Sequence, residues 1–402
     1  MPWKNTSIIG QRWQLVRALL RDERSISDWC RAFGVSRKTA YKWRDRFTEG
    51  GRRDLGDRSR RPHKVPLRMR RKWIERIART RRRHRHWGAK KIQVCLLRDY
   101  GQAPATATIA RWLKRMRLSA PRRRRPRKAC WLKVPALTRA TAPNHVWTAD
   151  FKGWFRSGNG QRVEPLTVRD LFSRYVLVIR LLPDQRWQPT KAVFLRLFKR
   201  CGLPEVIRTD NGGPFASNGP AGLSRLSAWW TALGIQVEFI RPGHPEENGA
   251  HEQMHRMLKA ETAEPPAHTR QGQQHRTSGW VKKYNDIRPH EALGQELPAK
   301  RYRKSSKPLP RQRPYLNYPT EWFQRQVRSN GEIKWRGRKR FVGEAFVRHR
   351  IGLKPLSGKV QGVYFGTLMI GHLHDDDTGA MRPAVYYRRA ATSQTDKVSP
   401  MS

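Results

Sequence analysis

Three acidic residues stand where a strand ends or a helix begins. Asp150 closes the run Val146-Trp147-Thr148-Ala149-Asp150-Phe151, and Asp210 follows Val206-Ile207-Arg208-Thr209 and precedes Asn211-Gly212-Gly213. Glu252 follows Pro242-Gly243-His244-Pro245 and Asn248-Gly249. Carboxylates gathered in this way suit a hard cation, because Mg²⁺ takes oxygen ligands and keeps several waters, leaving room for a phosphate. Two such ions about 3.5–4 Å apart would activate a water and stabilise the leaving oxygen of a phosphodiester, so no protein nucleophile is required. The neighbouring acids Asp170, Asp184, Glu246 and Glu247 are alternatives. Asp170 precedes Ser173 and Arg174, as in a hairpin turn held by a local ion pair, and Glu246 and Glu247 lie ahead of Gly249, where no helix fixes their direction.

The elements that must position these acids begin near Asn144. Leu166-Thr167-Val168 and Tyr175 to Ile179 read as a hairpin behind the Asp150 strand. A helix around Lys191 to Arg200, the Asp210 strand, a helix near Leu223 to Leu233, a strand at Ile235 to Ile240 and a helix from Gly249 follow. Three early strands and then strand–helix alternation predict an α/β RNase-H-like core over residues 141–303. In that topology strands one and four are neighbours, which sets Asp150 beside Asp210 with Glu252 on an adjoining helix. Arg256 and Lys259 stand at i+4 and i+7 from Glu252, on its helical face, where cations hold a DNA backbone. Trp147 alternates away from Asp150 along the strand and reads as core.

The charge balance names the partner. The chain carries 85 Lys and Arg against 31 Asp and Glu, a formal +54 over 402 residues, and its first 130 residues hold 40 against 9. Self-repulsion on that scale calls for a polyanion. A membrane is the competing reading, but no window approaches the roughly 18 continuous apolar residues a span requires, and no secretory leader pattern opens the chain. The expectation is a cytoplasmic, nucleoid-associated protein with no membrane partner. Cys30, Cys95, Cys130 and Cys201 are scattered without a C-x-x-C, so neither a disulfide framework nor a zinc module is expected.

Residues 1–56 read as a helix-turn-helix domain. Ile26, Trp29, Cys30 and Phe33 share a helical face, Gly34 breaks the helix, Ser36 caps the next one, and Ala40, Trp43 and Phe47 repeat along it. That second helix turns Arg37, Lys38, Tyr41, Lys42 and Arg44 outward, as groove reading requires. After a basic linker at 57–65, residues 66–120 read as a second helix-turn-helix domain, with Ile109, Trp112, Leu113 and Met116 inward and Arg111, Lys114 and Arg115 outward. A second basic linker at 121–140 contains Pro121-Arg122-Arg123-Arg124-Arg125-Pro126-Arg127-Lys128. Beyond the core, 304–325 reads as a linker, 326–380 as a small β-barrel of short strands separated by Gly, and 381–402 as a disordered tail. Asp375-Asp376-Asp377 reads as a solvated turn.

The core motifs resemble the Asp-Asp-Glu transposases of bacterial insertion sequences, whose catalytic core is similar to that of retroviral integrases. The residues that carry the resemblance are Trp147-x-x-Asp150, Thr209-Asp210-Asn211-Gly212 and Pro242-x-x-Pro245-x-x-Asn248-Gly249-x-x-Glu252. The tail Tyr284-Asn285-x-x-Arg288-Pro289-His290-x-Ala292-Leu293-Gly294-x-x-x-Pro298 continues it. Glu252 follows Asp210 by 42 positions, longer than the interval usual in that family, and Ser217 to Gly222 is loop-like enough to hold the excess. The resemblance implies that Asp150, Asp210 and Glu252 are the catalytic residues and metal ligands, with two Mg²⁺ or Mn²⁺ ions, and that Asn248 contacts DNA near the cut. It implies a transposase that binds the terminal inverted repeats of its element and joins their 3′-hydroxyl ends to target DNA, as at least a homodimer on double-stranded DNA. A domesticated, non-catalytic DNA-binding regulator and an RNase-H-type nuclease are the alternatives.

Overall fold

The computed structural model describes residues 7–59, 69–119, 137–241, 244–312 and 314–384. The Pro121 to Lys128 run, most of the basic linker at 57–65 and most of the expected tail lie outside them. The chain divides into two compact units, Met1–Arg71 and Lys72–Ser402.

The first unit holds α1 (Ile8–Leu20), α2 (Ile26–Ala32) and α3 (Arg37–Gly50). A serine opens each helix: Ser7, Ser25 and Ser36 accept backbone N–H groups from Gly10, Asp28 and Thr39, satisfying donors that a helix start leaves open. Leu15, Val16, Trp43 and Leu55 form the core. Gly34, at φ +61°, makes the turn between α2 and α3 in a backbone region that favours glycine.

The second unit opens within the first turn of α4 (Arg71–Arg83) and continues with α5 (Ala89–Tyr100) and α6 (Thr106–Arg115); these helices bury Ile77, Ile92, Leu96, Ile109 and Leu113. The α/β core follows: β1 (Val146–Phe151), β2 (Phe155–Arg156), β3 (Arg162–Asp170), β4 (Val176–Leu182), α7 (Trp187–Cys201), β5 (Val206–Thr209), α8 (Arg225–Ala232), β6 (Gln236–Phe239), α9 (Gly249–Leu258), α10 (Arg270–Asp286) and α11 (Pro298–Arg301). The sheet order is β2-β3-β1-β5-β6, with β4 on the far side of β3. β3 is antiparallel to β1 and β4, whereas β1, β5 and β6 run parallel, as the expected topology requires. Trp147, Phe194, Phe198, Ile207 and Trp230 fill one layer; Val163, Val176, Ile179, Met254, Leu258, Trp280 and Tyr284 fill another.

The edge strand β4 is closed by side chains rather than by a further strand. Asn285 accepts from the Val176 N–H at 2.9 Å and donates to the Val176 carbonyl at 2.9 Å; Gln274 accepts from the Leu181 N–H at 2.9 Å and donates to the Ile179 carbonyl at 3.0 Å. Two carboxamides of α10 thus supply the pairing an exposed sheet edge would otherwise seek elsewhere. Asp170 is buried and accepts from the Ser173 N–H and hydroxyl and from the Asn144 N–H. The turn after β3 is therefore held by these bonds, not by the ion pair expected from Arg174.

After the core come β7 (Phe323–Gln326), β8 (Glu332–Trp335), β9 (Arg338–Phe341), β10 (Arg350–Ser357), β11 (Val360–Phe365), β12 (Leu368–His374) and β13 (Arg382–Pro383). They form an open five-stranded sheet, β13-β12-β11-β10-β7, and a separate β8–β9 hairpin, so the sheet does not close into the expected barrel. Met381, at the start of the expected tail, is buried, and Arg382 and Pro383 pair with β12. Asp375 is not solvated: its carboxylate takes the Trp335 indole N–H at 2.7 Å and Arg336 at 2.8 Å.

Contacts at several places tie this sheet to the core. The chain after α11 is fixed to the turn between α7 and β5, with Ser305 N–H on the Cys201 carbonyl and Leu203 N–H on the Lys307 carbonyl. Gly202, at φ +76°, permits this approach, since a Cβ there would lie 2.8 Å from both the Ser305 and Lys307 carbonyls. Leu223, Ala228 and Ala232 of the α8 region share one apolar cluster with Ile333, Trp335, Phe346, Leu353, Val363 and Ile370 of the sheet, and Ala221 packs against it.

Candidate active site

The β1–β5 register sets the first two acids level. Val146, Trp147 and Thr148 pair with Val206, Ile207 and Arg208, and the same offset carries Asp210 to the level of Asp150 at the ends of adjacent parallel strands. Asp150 is largely buried, with 15% of its side chain exposed. Burial, and then repulsion from Asp210, push its carboxyl up to about 8, against smaller opposing effects of Lys152 and Asn248. Asp210 is half-buried, and its Oδ1 accepts the Gly212 N–H at 3.1 Å.

Asn248 precedes α9 and donates its side-chain amide to Asp150 Oδ2 at 3.0 Å. Glu252 lies exposed in the first turn of α9. Lys152 connects the charges: its ammonium is disfavoured first by burial and then by Lys259, and favoured by Asp150 and Glu252. Lys259, at the C-terminal end of α9, lies 3.6 Å from Glu264, and Arg256 is exposed.

The floor of the site was not anticipated. Thr148, Thr167, His251 and His255 are buried beneath Asp150. Thr167 Oγ1 lies 2.6 Å from His251 Nε2, 2.7 Å from His255 Nε2 and 3.0 Å from the Asp150 carbonyl. His255 Nδ1 is 3.8 Å from Asp150 Oδ2. Burial holds both histidines well below their ordinary range, which favours the neutral rings. A His-x-x-x-His spacing on one helical face was the available signal, and Lys152 lies just past the end of β1, two residues beyond Asp150.

The outward residues of the helical modules lie as the periodicity places them. Arg37, Lys38, Tyr41 and Lys42 are exposed on α3, while Arg44 is half-buried, stacked over Tyr41 and paired with Asp45 at 3.1 Å. Arg111, Lys114 and Arg115 are exposed on α6, with Arg115 over the Trp112 ring. Among the described residues no helix is long and apolar enough to cross a membrane.

Comparison with known proteins covers most of this architecture piece by piece. Residues 140–245 and 233–298 each match the integrase core domain family, 11–63 a helix-turn-helix domain, 39–113 a homeodomain-like domain, and 324–377 the C-terminal domain of IS481 family transposases. The chain is 30% identical over 185 residues to the insertion element IS407 uncharacterized 31.7 kDa protein of Burkholderia multivorans, covering 45% of this chain and 63% of that protein. It is 28% identical over 219 residues to the insertion element IS476 uncharacterized 39.2 kDa protein of Xanthomonas euvesicatoria, covering 54% and 60%. The chain thus spans less than two thirds of either relative. The HTLV-2 integrase catalytic core domain in complex with magnesium is similar over 41% of this chain and 100% of that one, at 18% identity and a TM-score of 0.33.

Proposed function

Because the chain is built as insertion-sequence transposases with an integrase-like core are built, we propose that it binds the terminal inverted repeats of a mobile element, cleaves phosphodiester bonds at their ends and joins the freed 3′-hydroxyls to target DNA. Asp150, Asp210 and Glu252 are the catalytic carboxylates of this reading. The observation that carries it is the pairing of Asp150 and Asp210 at adjacent strand ends, where burial and mutual repulsion make two negative charges costly without a cation.

The donors are oxygens, which fits Mg²⁺ or Mn²⁺ better than a thiolate-seeking metal. Two such ions held by the three carboxylates would supply an activated water and charge stabilisation on the leaving oxygen. The chain's own residues do the rest. Asn248 fixes the rotation of the Asp150 carboxyl, and Lys152, Arg256 and Lys259 place positive charge where a DNA backbone would pass. Arg37, Lys38, Tyr41, Lys42 and Arg44 on α3, and Arg111, Lys114 and Arg115 on α6, hold the element ends. Joining two ends at one target requires at least two copies of the chain on DNA.

The test is end cleavage and strand transfer on duplexes carrying the repeats that flank the coding DNA, with Mg²⁺ or Mn²⁺. Asp150→Asn and Glu252→Gln should abolish joining while end binding persists. Equal joining by Glu252→Gln and the unaltered protein would remove Glu252 from the site. Binding without joining by the unaltered protein on paired ends would identify a regulator instead.

A further inference from the structure

Burying Thr148, Thr167, His251 and His255 together costs stability unless every polar atom is satisfied. Here the bonds can be counted. A hydroxyl has one hydrogen to give and two acceptor sites. The Asp150 carbonyl, 3.0 Å from Thr167 Oγ1, only accepts, so the Thr167 hydrogen goes there. Both imidazoles must then donate from Nε2 to Thr167, at 2.6 and 2.7 Å. His251 Nδ1 is left as an acceptor, and Thr148 Oγ1 lies 2.9 Å away to donate to it. His255 Nδ1 is likewise left with a lone pair, and that lone pair faces Asp150 Oδ2 at 3.8 Å.

The count also separates two roles. Asp150, His251 and His255 bring candidate ligand atoms within 4.8 Å of one another, which invites a metal cage of three protein ligands. His251, however, has both ring nitrogens committed to threonine hydroxyls, and taking up an ion would break one of those bonds inside the protein. It is a strut.

Resting on the reading of Asp150 as a cation ligand, we infer that Thr167, His255 and His251 are positioning residues that keep the ionised Asp150 carboxylate free of an imidazole N–H. Thr167 holds both rings as Nε2–H tautomers and clamps the Asp150 backbone, so His255 turns a lone pair rather than an N–H toward the carboxylate. An Nδ1–H in that place would bind Oδ2 and compete with a cation. With the lone pair there, Oδ2 receives only the Asn248 amide from this cluster, and its remaining electron pairs stay open to an ion.

Two measurements on the full chain test this. In protein labelled with ¹⁵N-histidine, the ring nitrogens of His251 and His255, assigned by their loss in His251→Gln and His255→Gln, should both report the neutral Nε2–H form. An Nδ1–H or imidazolium His255 in the unaltered protein would overturn the inference. Mn²⁺ binding, followed by calorimetry or the loss of the free-ion resonance signal, supplies the second readout. Asp150→Asn should lose binding, Thr167→Ser should stay within about twofold of the unaltered protein, and Thr167→Val should bind about tenfold more weakly, the range of losses from groups that orient metal ligands. Thr167→Val binding as the unaltered protein does, or Thr167→Ser weakened as much as Thr167→Val, would overturn the positioning role while leaving Asp150 as a ligand. Undiminished binding by Asp150→Asn would remove the ligand reading itself, and this inference with it.

Discussion

Asn248 donates its side-chain amide to Oδ2 of Asp150 across 3.0 Å, although 98 residues of sequence separate the two. The bond joins the entry of α9 to the end of β1 and sets the rotation of the carboxyl about its last bond. Asn248→Ala should therefore lower strand transfer by about 10–100-fold, as removal of groups that orient metal ligands does, with end binding unchanged within about twofold. Asn248→Asp should be worse, because it adds a third negative charge beside Asp150 and Asp210. A fall in end binding with normal joining per bound complex would return Asn248 to the role of DNA contact.

Salt dependence checks the basic face of α3. Arg37, Lys38 and Lys42 are exposed, so each is available to a phosphate. Replacing all three by Ala should make the slope of log affinity against log salt shallower by about 2–3, near 0.9 per phosphate contact. Arg44→Ala should change the slope less, because Arg44 already spends its guanidinium on Asp45 and the Tyr41 ring. An unchanged slope in the triple variant would remove α3 from the DNA interface.

Lys91 on α5 gives a pH signature. Burial, reinforced by Arg288, lowers its ammonium to about 8, against the smaller opposing pull of Glu261 and Glu291. A lysine whose folded pKa lies below its unfolded value, about 10.4, penalises the fold while protonated. That penalty is full below about 8 and fades as pH rises toward the unfolded value. Lys91→Met should raise Tm at pH 7 by about 2–4 °C for each kcal/mol of penalty removed, and the gain should shrink above pH 8. A gain that does not vary with pH would mean that packing, not charge, was relieved.

The sealed edge of β4 yields a stability test. Asn285→Ala leaves the N–H and carbonyl of buried Val176 without their partner, and each such group costs about 1–3 kcal/mol. Urea unfolding should show a loss of roughly 2–6 kcal/mol. A loss under about 0.5 kcal/mol would show that water replaces the amide there.

How far the sequence could be read follows from what each element buries. The β1 and β5 strands are largely buried runs that lead to Asp150 and Asp210, so the meeting of the two acids was legible. α10 was not, because its buried face carries Gln273, Thr277 and Asn285 beside Trp280 and Tyr284, which breaks the apolar stripe that marks a helix. α1 carried a readable signal in Ser7 followed by Leu15, Val16 and Leu19, which share one helical face. The rhythm of short strands after residue 322 identified a β region but could not tell a closed sheet from an open one, since closure depends on pairings between distant strands. The floor under Asp150 was hidden for the same reason: Thr167 and His255 meet only once β3 and α9 are packed.

The shared apolar cluster between α8 and the C-terminal sheet bears on how such a chain can be cut and exchanged. Residues 217–222 lead into α8, and Ala221 and Leu223 pack against that sheet. A chain ending at residue 303 would strip the cover from Leu223, Ala228, Ala232 and Phe239, so it would be left with an adhesive flank rather than a trimmed enzyme. Grafting the C-terminal sheet of a relative onto this core would meet the same barrier unless the 217–232 segment travelled with it. Loop and sheet thus share one packing interface, so a change of volume on one side is felt by the other.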